Sequence, residues 1–270
     1  MSRIRLVELR CHPLKGGLAN VLEVADALAS GLAHDRQWLV TDGRGIALTQ
    51  RDTPGLARIS ATPMADGMRF EAPGQPPLTV DWLGGESPPL EVTVWDDHIT
   101  APRAGRQAEG WFAAALGRPV AETRVVHMAG PARRVTSLSH WPEAHPVGFA
   151  DGYPYLLMGQ ASLEELSTRI GRPMERERFR ANLWIDGAEP WAEDDWGRIR
   201  IGECVFQRVK ACARCVVTTL DPQTLEGGPE PLRTLATYRR GAEGGVLAGQ
   251  NLLCLVPGVL HAGDAVVLEN

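Results

Sequence analysis

The sequence contains no run of about 18 apolar residues able to cross a bilayer as a helix. Its first residues, MSRIRLVELRCHP, lack the apolar centre of a secretory signal peptide. The expectation is a cytoplasmic protein with no membrane partner. A general positive field is missing too: the formal net charge of −5 offers nothing to attract a nucleic-acid polymer, so basic residues must act locally. Cysteine is scarce, with five residues at positions 11, 204, 212, 215 and 254 in a chain of 270. This odd, sparse set is unlike a secreted disulfide framework and predicts free thiols. Also missing are a Gly-rich dinucleotide fingerprint, a four-cysteine iron–sulfur pattern and any internal repeat.

What is present points to a β protein of one large domain or two modest ones. Over the first hundred residues RIRLVEL, QWLVT, IALTQ, LTVDW and LEVTVW alternate or are β-branched between Gly- and Pro-rich breaks. DGRG at 42–45 has the composition of a hairpin turn. An antiparallel barrel or sandwich follows from this pattern, closed by a helix over AEGWFAAALG from residue 108. Residues 127–150, rich in Pro, Gly, Ser and His, are predicted to form a long loop, with His145 a candidate lid residue. In SLEELSTRIG, Ser162 and Glu165 match a capping box, Leu163, Leu166 and Ile170 share a face, and Gly171 ends the helix. Beyond it NLWID, RIRIG, CVFQRV, VVTTL, NLLCLV and AVVLE predict a second, mainly β part.

The stretch KACARCVVTTLDPQT at 210–224 places two cysteines three positions apart. Structural zinc would need about four Cys or His ligands, and Cys204, Cys254, His127 and His261 have no spacing that announces a second pair. A redox dithiol would sit where a strand enters a helix, whereas VVTTL reads as a strand. A single thiolate on a soft transition metal needs no second pair, provided a sulfur-bearing cofactor supplies other ligands. Two cysteines that merely pack are the plainest alternative. The acidic segment AEDDW at 192–196 invites a proton-transfer carboxylate, although a solvated turn between inward-packed Trp191 and Trp196 is the simpler expectation.

ERFRANLWIDG at 177–187, the segment 191–224 around the cysteine pair, and PLRTLATYR at 231–239 together resemble the MOSC domain. They are similar above all to its branch containing the amidoxime-reducing components. CHPLKGG at 11–17 and HDRQWLVTDGRG at 34–45 resemble the N-terminal β-barrel domain of that branch. The resemblance implies a mainly β fold with a few helices, divided into an N-terminal β-barrel domain over 1–125 and a MOSC β-barrel domain over 126–270. It also implies a molybdenum cofactor (molybdopterin) between them, with Cys215 as metal ligand and catalytic residue and Cys212 as bystander. Lys15, Arg36, Asp151, Gly152, Arg180 and Asn182 would form the cofactor cradle. Gly16 and Gly17 stand where relatives often have a Ser after the Lys, leaving backbone N–H groups to replace a hydroxyl, and Ala181 stands where Pro is common.

On this resemblance the expected activity is reduction of small N-hydroxylated compounds such as amidoximes and hydroxylamines, with electrons from a separate transfer protein. A non-catalytic molybdenum cofactor carrier is the alternative from another class. A sulfur-transfer module is a further one, although the chain has no room for the pyridoxal-phosphate domain that desulfuration requires. A small structural-zinc or thiol-redox protein is the last.

Overall fold

Short alternating stretches between turn-forming residues make most of the chain β. The computed structural model describes residues 4–82, 87–128 and 134–269. In chain order the strands begin with β1 (Arg5–Cys11), β2 (Asn20–Leu22), β3 (Val24–Leu28), β4 (Gly31–Leu32) and β5 (Trp38–Thr41). They continue with β6 (Ser60–Pro63), β7 (Gly67–Glu71), β8 (Leu78–Asp81), β9 (Leu90–Val94) and β10 (Asp97–Ala101). The helix α1 (Arg106–Leu116) leads to β11 (Arg124–His127), β12 (Arg134–Val135), β13 (Pro146–Val147) and β14 (Tyr155–Gly159). After α2 (Gln160–Ile170) come β15 (Leu183–Asp186), β16 (Arg198–Ile201) and β17 (Cys204–Arg214). The one-turn helix α3 (Leu232–Leu235), β18 (Val246–Val256), β19 (Gly258–His261) and β20 (Val266–Glu269) complete a mainly β fold with few helices.

Among the described residues eight strands form one sheet in the order β2-β1-β15-β14-β18-β17-β16-β20. Neighbours run antiparallel except β14 and β15, which are parallel and joined by the α2 crossover, as parallel pairing requires. A bridge from Arg5 to Ala265, with the Val266 N–H donating to Ile4 O at 2.9 Å, brings β1 and the start of β20 together. The first strand therefore belongs to the sheet built by the C-terminal half. In return β19, from the far end of the chain, pairs with β3. The halves of the sequence are interleaved rather than merely adjacent.

Two apolar clusters cover the faces of the large sheet. Leu6, Leu9, Tyr155, Leu157, Leu183, Ile185, Phe206 and Leu252 fill one side, while α2 presses Leu163 and Leu166 towards Phe179 and Trp184 on the other. Burial on both faces explains the unbroken apolar run of β14, which is buried at all its positions. A third cluster lies under the β6-β7-β8 sheet and α1, where Trp38, Phe70, Trp111 and Phe112 meet edge to face at 5.0–5.1 Å. Each such ring pair adds ~1 kcal/mol to area burial.

Four local expectations are corrected. IALTQ makes only isolated bridges at Ile46 and Ala47, because the chain leaves the ladder to turn towards Gln50. VVTTL folds as a 3-10 turn, Val216–Thr219, in which the Thr218 and Thr219 hydroxyls bond back to Cys215 O and Val216 O. Within 127–150, the β12–β13 pair interrupts the predicted loop; residues 129–133 lie outside those described, and His145 is tied to Thr136. The capping box does not form either. Ser162 lies inside α2 behind Gly159, and its hydroxyl donates to Glu193 at 2.8 Å.

Glu193, 1% exposed, does the capping from a distance: its Oε1 accepts the Gly159 N–H at 3.0 Å together with the Ser162 hydroxyl. Asp194 beside it holds the Arg239 guanidinium at 2.5 and 2.9 Å and the Gln250 amide at 2.6 Å. The acidic segment is therefore a packed bracket, neither a solvated turn nor part of the cavity described below. Burial pushes the Glu193 carboxyl pKa up, against the hydrogen bonds that favour its charge. A folded-state pKa above the unfolded one means that stability from this group is gained as pH falls and lost as pH rises through the folded value. Glu193→Ala should cost about 2–3 kcal/mol by orphaning a buried N–H and hydroxyl, while Glu193→Gln should cost less than about 1 kcal/mol at neutral pH. Urea unfolding of the two variants at pH 7 measures the difference.

Candidate functional site

The seam between the interleaved halves opens into a cavity of about 200 Å³. Lys15 enters it from the segment after β1, where Lys15 N–H donates to Trp38 O at 2.8 Å. Arg36 comes from the turn before β5, Asp151 and Gly152 from the approach to β14, Arg180 and Asn182 from the approach to β15, and Cys215 from the end of β17. All seven residues assigned to the metal and the cofactor cradle line this one space, whereas the candidate lid residue His145 is not among its lining.

Both cradle arginines stand in the left-handed region, Arg36 at φ 47° and Arg180 at φ 54°. Such geometry costs a non-glycine residue of order 1 kcal/mol and persists only where surrounding contacts impose it. The contacts are explicit. Arg36 donates Nη1 to Asp35 Oδ2 at 2.5 Å and Nη2 to Arg180 O at 2.9 Å, while Arg180 Nη1 donates to Gly17 O at 2.7 Å. Asp35 is itself buried and accepts the His12 N–H at 2.7 Å. The Arg36–Asp35 pair is thus an internal strut, not a surface ion pair.

Gly16 and Gly17 have separate reasons to be glycine. Gly16 sits at φ 80°, and a Cβ on Gly17 would meet Leu14 Cβ at 2.9 Å and Ile59 O at 3.0 Å. The Gly17 N–H already donates to Leu14 O at 2.9 Å, so it is not free to replace the hydroxyl that the family resemblance would put nearby. Asn182 spends its carboxamide on the backbone, with Nδ2 donating to Arg10 O at 3.0 Å and Oδ1 accepting the Leu156 N–H at 3.3 Å. It locks β1 to β14 behind the cavity.

Cys212, Ala213, Arg214 and Cys215 line the cavity in succession, which a regular strand would forbid because neighbouring side chains alternate faces. The register of β17 against β18 slips between Ala211 and Ala213, and the strand ends at Arg214. That irregularity re-aims the CARC segment, as bulges beside sites commonly do. Cys215, half-buried, then begins the 3-10 turn and accepts the Thr218 N–H on its carbonyl at 3.1 Å. Cys212 packs partly into the cluster under α2, and Arg214 Nη1 lies 3.0 Å from its Sγ. Among the described residues no three His, Cys, Asp or Glu side chains gather to hold an ion, so a metal on Cys215 would need ligands from outside the chain.

The lining carries more cation than the chain neutralises. Lys15 Nζ donates to Phe149 O at 2.8 Å and Asp151 Oδ1 at 2.5 Å, and burial lowers its pKa despite that carboxylate. Desolvation opposes the charge on Asp151, but the Lys15 ammonium, aided by the Trp95 N–H and Arg36, outweighs it and holds the carboxyl well below the usual range. Burial, then the neighbouring Arg36 and Arg214, bring the Arg180 pKa down to about 9. His12, buried behind these groups, is held neutral by burial and by the charges of Arg36 and Arg180. Among the described residues nothing pairs with Arg214 Nε or with the Tyr153 hydroxyl, both buried in residues that line the cavity. Orphaned donors beside clustered cations suit a polyoxygen anion such as a phosphate, and a half-buried thiol such as that of Cys215 suits a soft metal.

Gln50, Arg51, Trp95, Arg178, Arg214, Thr218 and Asn251 also line the cavity and escaped the sequence reading. Arg214 stood in plain view between the two cysteines. Trp95 and Asn251, in a hairpin turn and in the middle of β18, had no local signal. Arg178 is structural: it donates to Leu220 O at 2.7 Å and Asp221 Oδ2 at 3.0 Å, pinning the segment that follows Cys215.

Between about pH 9 and the ordinary arginine range the folded state binds fewer protons at Arg180 than the unfolded chain, so stability rises with pH there. At pH 7 the cluster's cost is fully present, and a bound anion relieves it. Inorganic phosphate should therefore raise the thermal unfolding midpoint by a shift equivalent to ~1–2 kcal/mol at saturating concentrations. Arg180→Met should erase most of that shift while leaving the phosphate-free midpoint unchanged or higher, read by differential scanning fluorimetry.

The profile of the MOSC domain matches residues 144–267, and that of the MOSC N-terminal beta barrel domain matches residues 3–119. Mitochondrial amidoxime-reducing component 1 of Danio rerio is 31% identical over 98% of this chain and 85% of its own length. The Mus musculus protein of that name is 32% identical over 97% and 82%, and the Homo sapiens one 31% identical over 97% and 82%. With both domain profiles present and matches running along nearly its whole length, the chain belongs to the MOSC-domain family, in the branch of the amidoxime-reducing components.

Proposed function

We propose that this protein is a molybdenum-cofactor-dependent reductase of small N-hydroxylated compounds, amidoximes and hydroxylamines among them, supplied with electrons by a separate transfer protein. One observation carries the proposal: the half-buried Cys215 and a cluster of under-neutralised cations converge on one cavity, in a chain whose relatives are named for reducing amidoximes. When bound, the cofactor would supply the redox chemistry at its metal and dithiolene.

This chain's residues have distinct parts to play. Cys215 would hold the metal as thiolate, and Arg36, Arg180 and Arg214 would hold the anionic tail of the pterin, their guanidinium forks matched to phosphate oxygens. Lys15 positions Asp151 at the wall of the cavity through the 2.5 Å contact. Reduction of an amidoxime takes two electrons and two protons, breaks the N–O bond and releases the oxygen as water. Lys15, whose ammonium burial makes more acidic than usual, is suited to lend a proton from Nζ. A boundary near residue 125 would then separate two domains that hold the cofactor between them. The five free thiols fit a reducing compartment such as the cytoplasm.

Protein purified from a host able to make molybdenum cofactor should carry near-stoichiometric molybdenum, and reduce benzamidoxime with a chemical reductant. Cys215→Ser should lose the metal and at least about 100-fold of the activity, more than changes to groups that only orient a metal ligand usually remove. Cys212→Ser should keep the metal. Elemental analysis and amidine formation check both. Molybdenum without turnover would favour a cofactor carrier, and folded wild type without molybdenum would overturn both functions.

A further inference from the structure

Trp95 occupies the first position of the two-residue turn between β9 and β10, where Val94 pairs with Asp97. Its φ is 56°, a conformation that such turns usually assign to Asn or Gly and that makes a bulky aromatic a true outlier. The ring is not placed there to complete a core: it is 50% exposed and lines the cavity. Two contacts hold the ring, and a third residue fixes its hairpin. Its indole N–H donates to Asp151 Oδ1 at 3.2 Å, the oxygen that also receives Lys15. The Arg51 guanidinium lies over the ring, 4.7 Å from its centroid. Arg134, buried, joins the hairpin to the opposing loop, donating to Asp97 Oδ2 at 2.5 Å, Gly148 O at 3.2 Å and Asp151 O at 3.1 Å, and also to Ala150 O.

A strained, half-exposed indole braced from two sides at the wall of a reaction cavity is a platform for a flat ligand. We propose that Trp95, backed by Arg51, stacks on the planar group of the substrate and selects N-hydroxylated compounds whose reacting N-hydroxyl function is carried by an aromatic or similarly flat conjugated group. This rests on the reductase function proposed above and deepens it by naming a substrate class. The Arg51 charge over the ring orients and stiffens the platform through a cation–π contact, and the N–H to Asp151 ties the platform to the wall that also carries Lys15. Trp95 is on this account a specificity-determining residue that touches the non-reacting part of the substrate.

The test uses cofactor-loaded protein and a matched aryl and alkyl pair, benzamidoxime and acetamidoxime. Binding to oxidised protein without reductant is measured by calorimetry, and KM and kcat with a chemical reductant. Trp95→Asn suits the left-handed turn and should fold, which a thermal melt checks; Trp95→Phe keeps a ring but removes the N–H. Trp95→Asn should weaken benzamidoxime binding and raise its KM about tenfold with little change in kcat, leaving acetamidoxime within about twofold; a tenfold change corresponds to about 1.4 kcal/mol of stacking. Trp95→Phe should retain most aryl binding. Equal effects on both substrates, no effect on either, or a Trp95→Phe loss as large as that of Trp95→Asn would overturn the proposal. Wild type that binds benzamidoxime through Trp95 but turns over neither substrate would refute the reductase function and leave the platform standing. Turnover of both substrates without any Trp95 dependence would do the reverse.

Discussion

Asp35 is the group on which the cavity's charge arrangement depends. It is buried, yet Arg36 and the contacts from His12 overcome the cost of burial and hold its carboxyl below the ordinary range. Through it the Arg36 guanidinium is turned so that its other nitrogen reaches Arg180 O, and Arg180 in turn reaches Gly17 O. Two left-handed arginines and a glycine turn are thereby fastened into one rigid arc. Taking away one partner of such a buried pair generally costs several kcal/mol, because the remaining charge is left uncompensated. Here the loss would also release the mutual repulsion of the cations that the arc holds together.

That arc can be assembled only because the chain is interleaved. β1 lies in the large sheet beside β15, and β3 and β5 take partners from far along the sequence. Lys15 and Arg36 are thus carried to the segments that lead into β14 and β15 and out of β17, where Asp151, Arg180 and Cys215 lie. Asn182 bolts β1 to β14 directly behind them, and the Glu193–Asp194 bracket fixes α2 and β18 at the rear. The site is then prepaid in rigidity: its cations are brought together by folding, before any ligand arrives, which favours binding by sparing the ligand the cost of ordering them. A further consequence is that stability and binding oppose one another at Arg180, which weakens the empty protein and strengthens an anionic complex.

Much of this was legible along the chain where the signal was local. Alternation and turn residues announced most strands, Gly117 and Gly171 stop α1 and α2 in the left-handed conformation as their positions suggest, and the cysteine pair and Arg-x-Asn segment carried the family resemblance. Errors arose where a distant partner outbid a local preference. Ser162 looks like a helix cap until Glu193 approaches from 31 residues away, and VVTTL looks like a strand until threonine hydroxyls bend it into a turn at the cavity wall. Arg51 and Trp95 give no sequence pattern at all, because their importance lies in a contact across a hairpin and a loop.

By itself the sequence determined the mainly β class, the family and the residue types available for chemistry, since these rest on periodicity and short motifs that fold on their own neighbours. Tertiary structure alone decided that Lys15, Arg36, Asp151, Arg180, Arg214 and Cys215 share one cavity, and that Glu193 and Asp194 do not. The physical reason is that strand order, the slip in register at Cys212 and the desolvation that shifts the cations' proton affinities are all set by non-local pairing, which leaves no periodic mark in the chain.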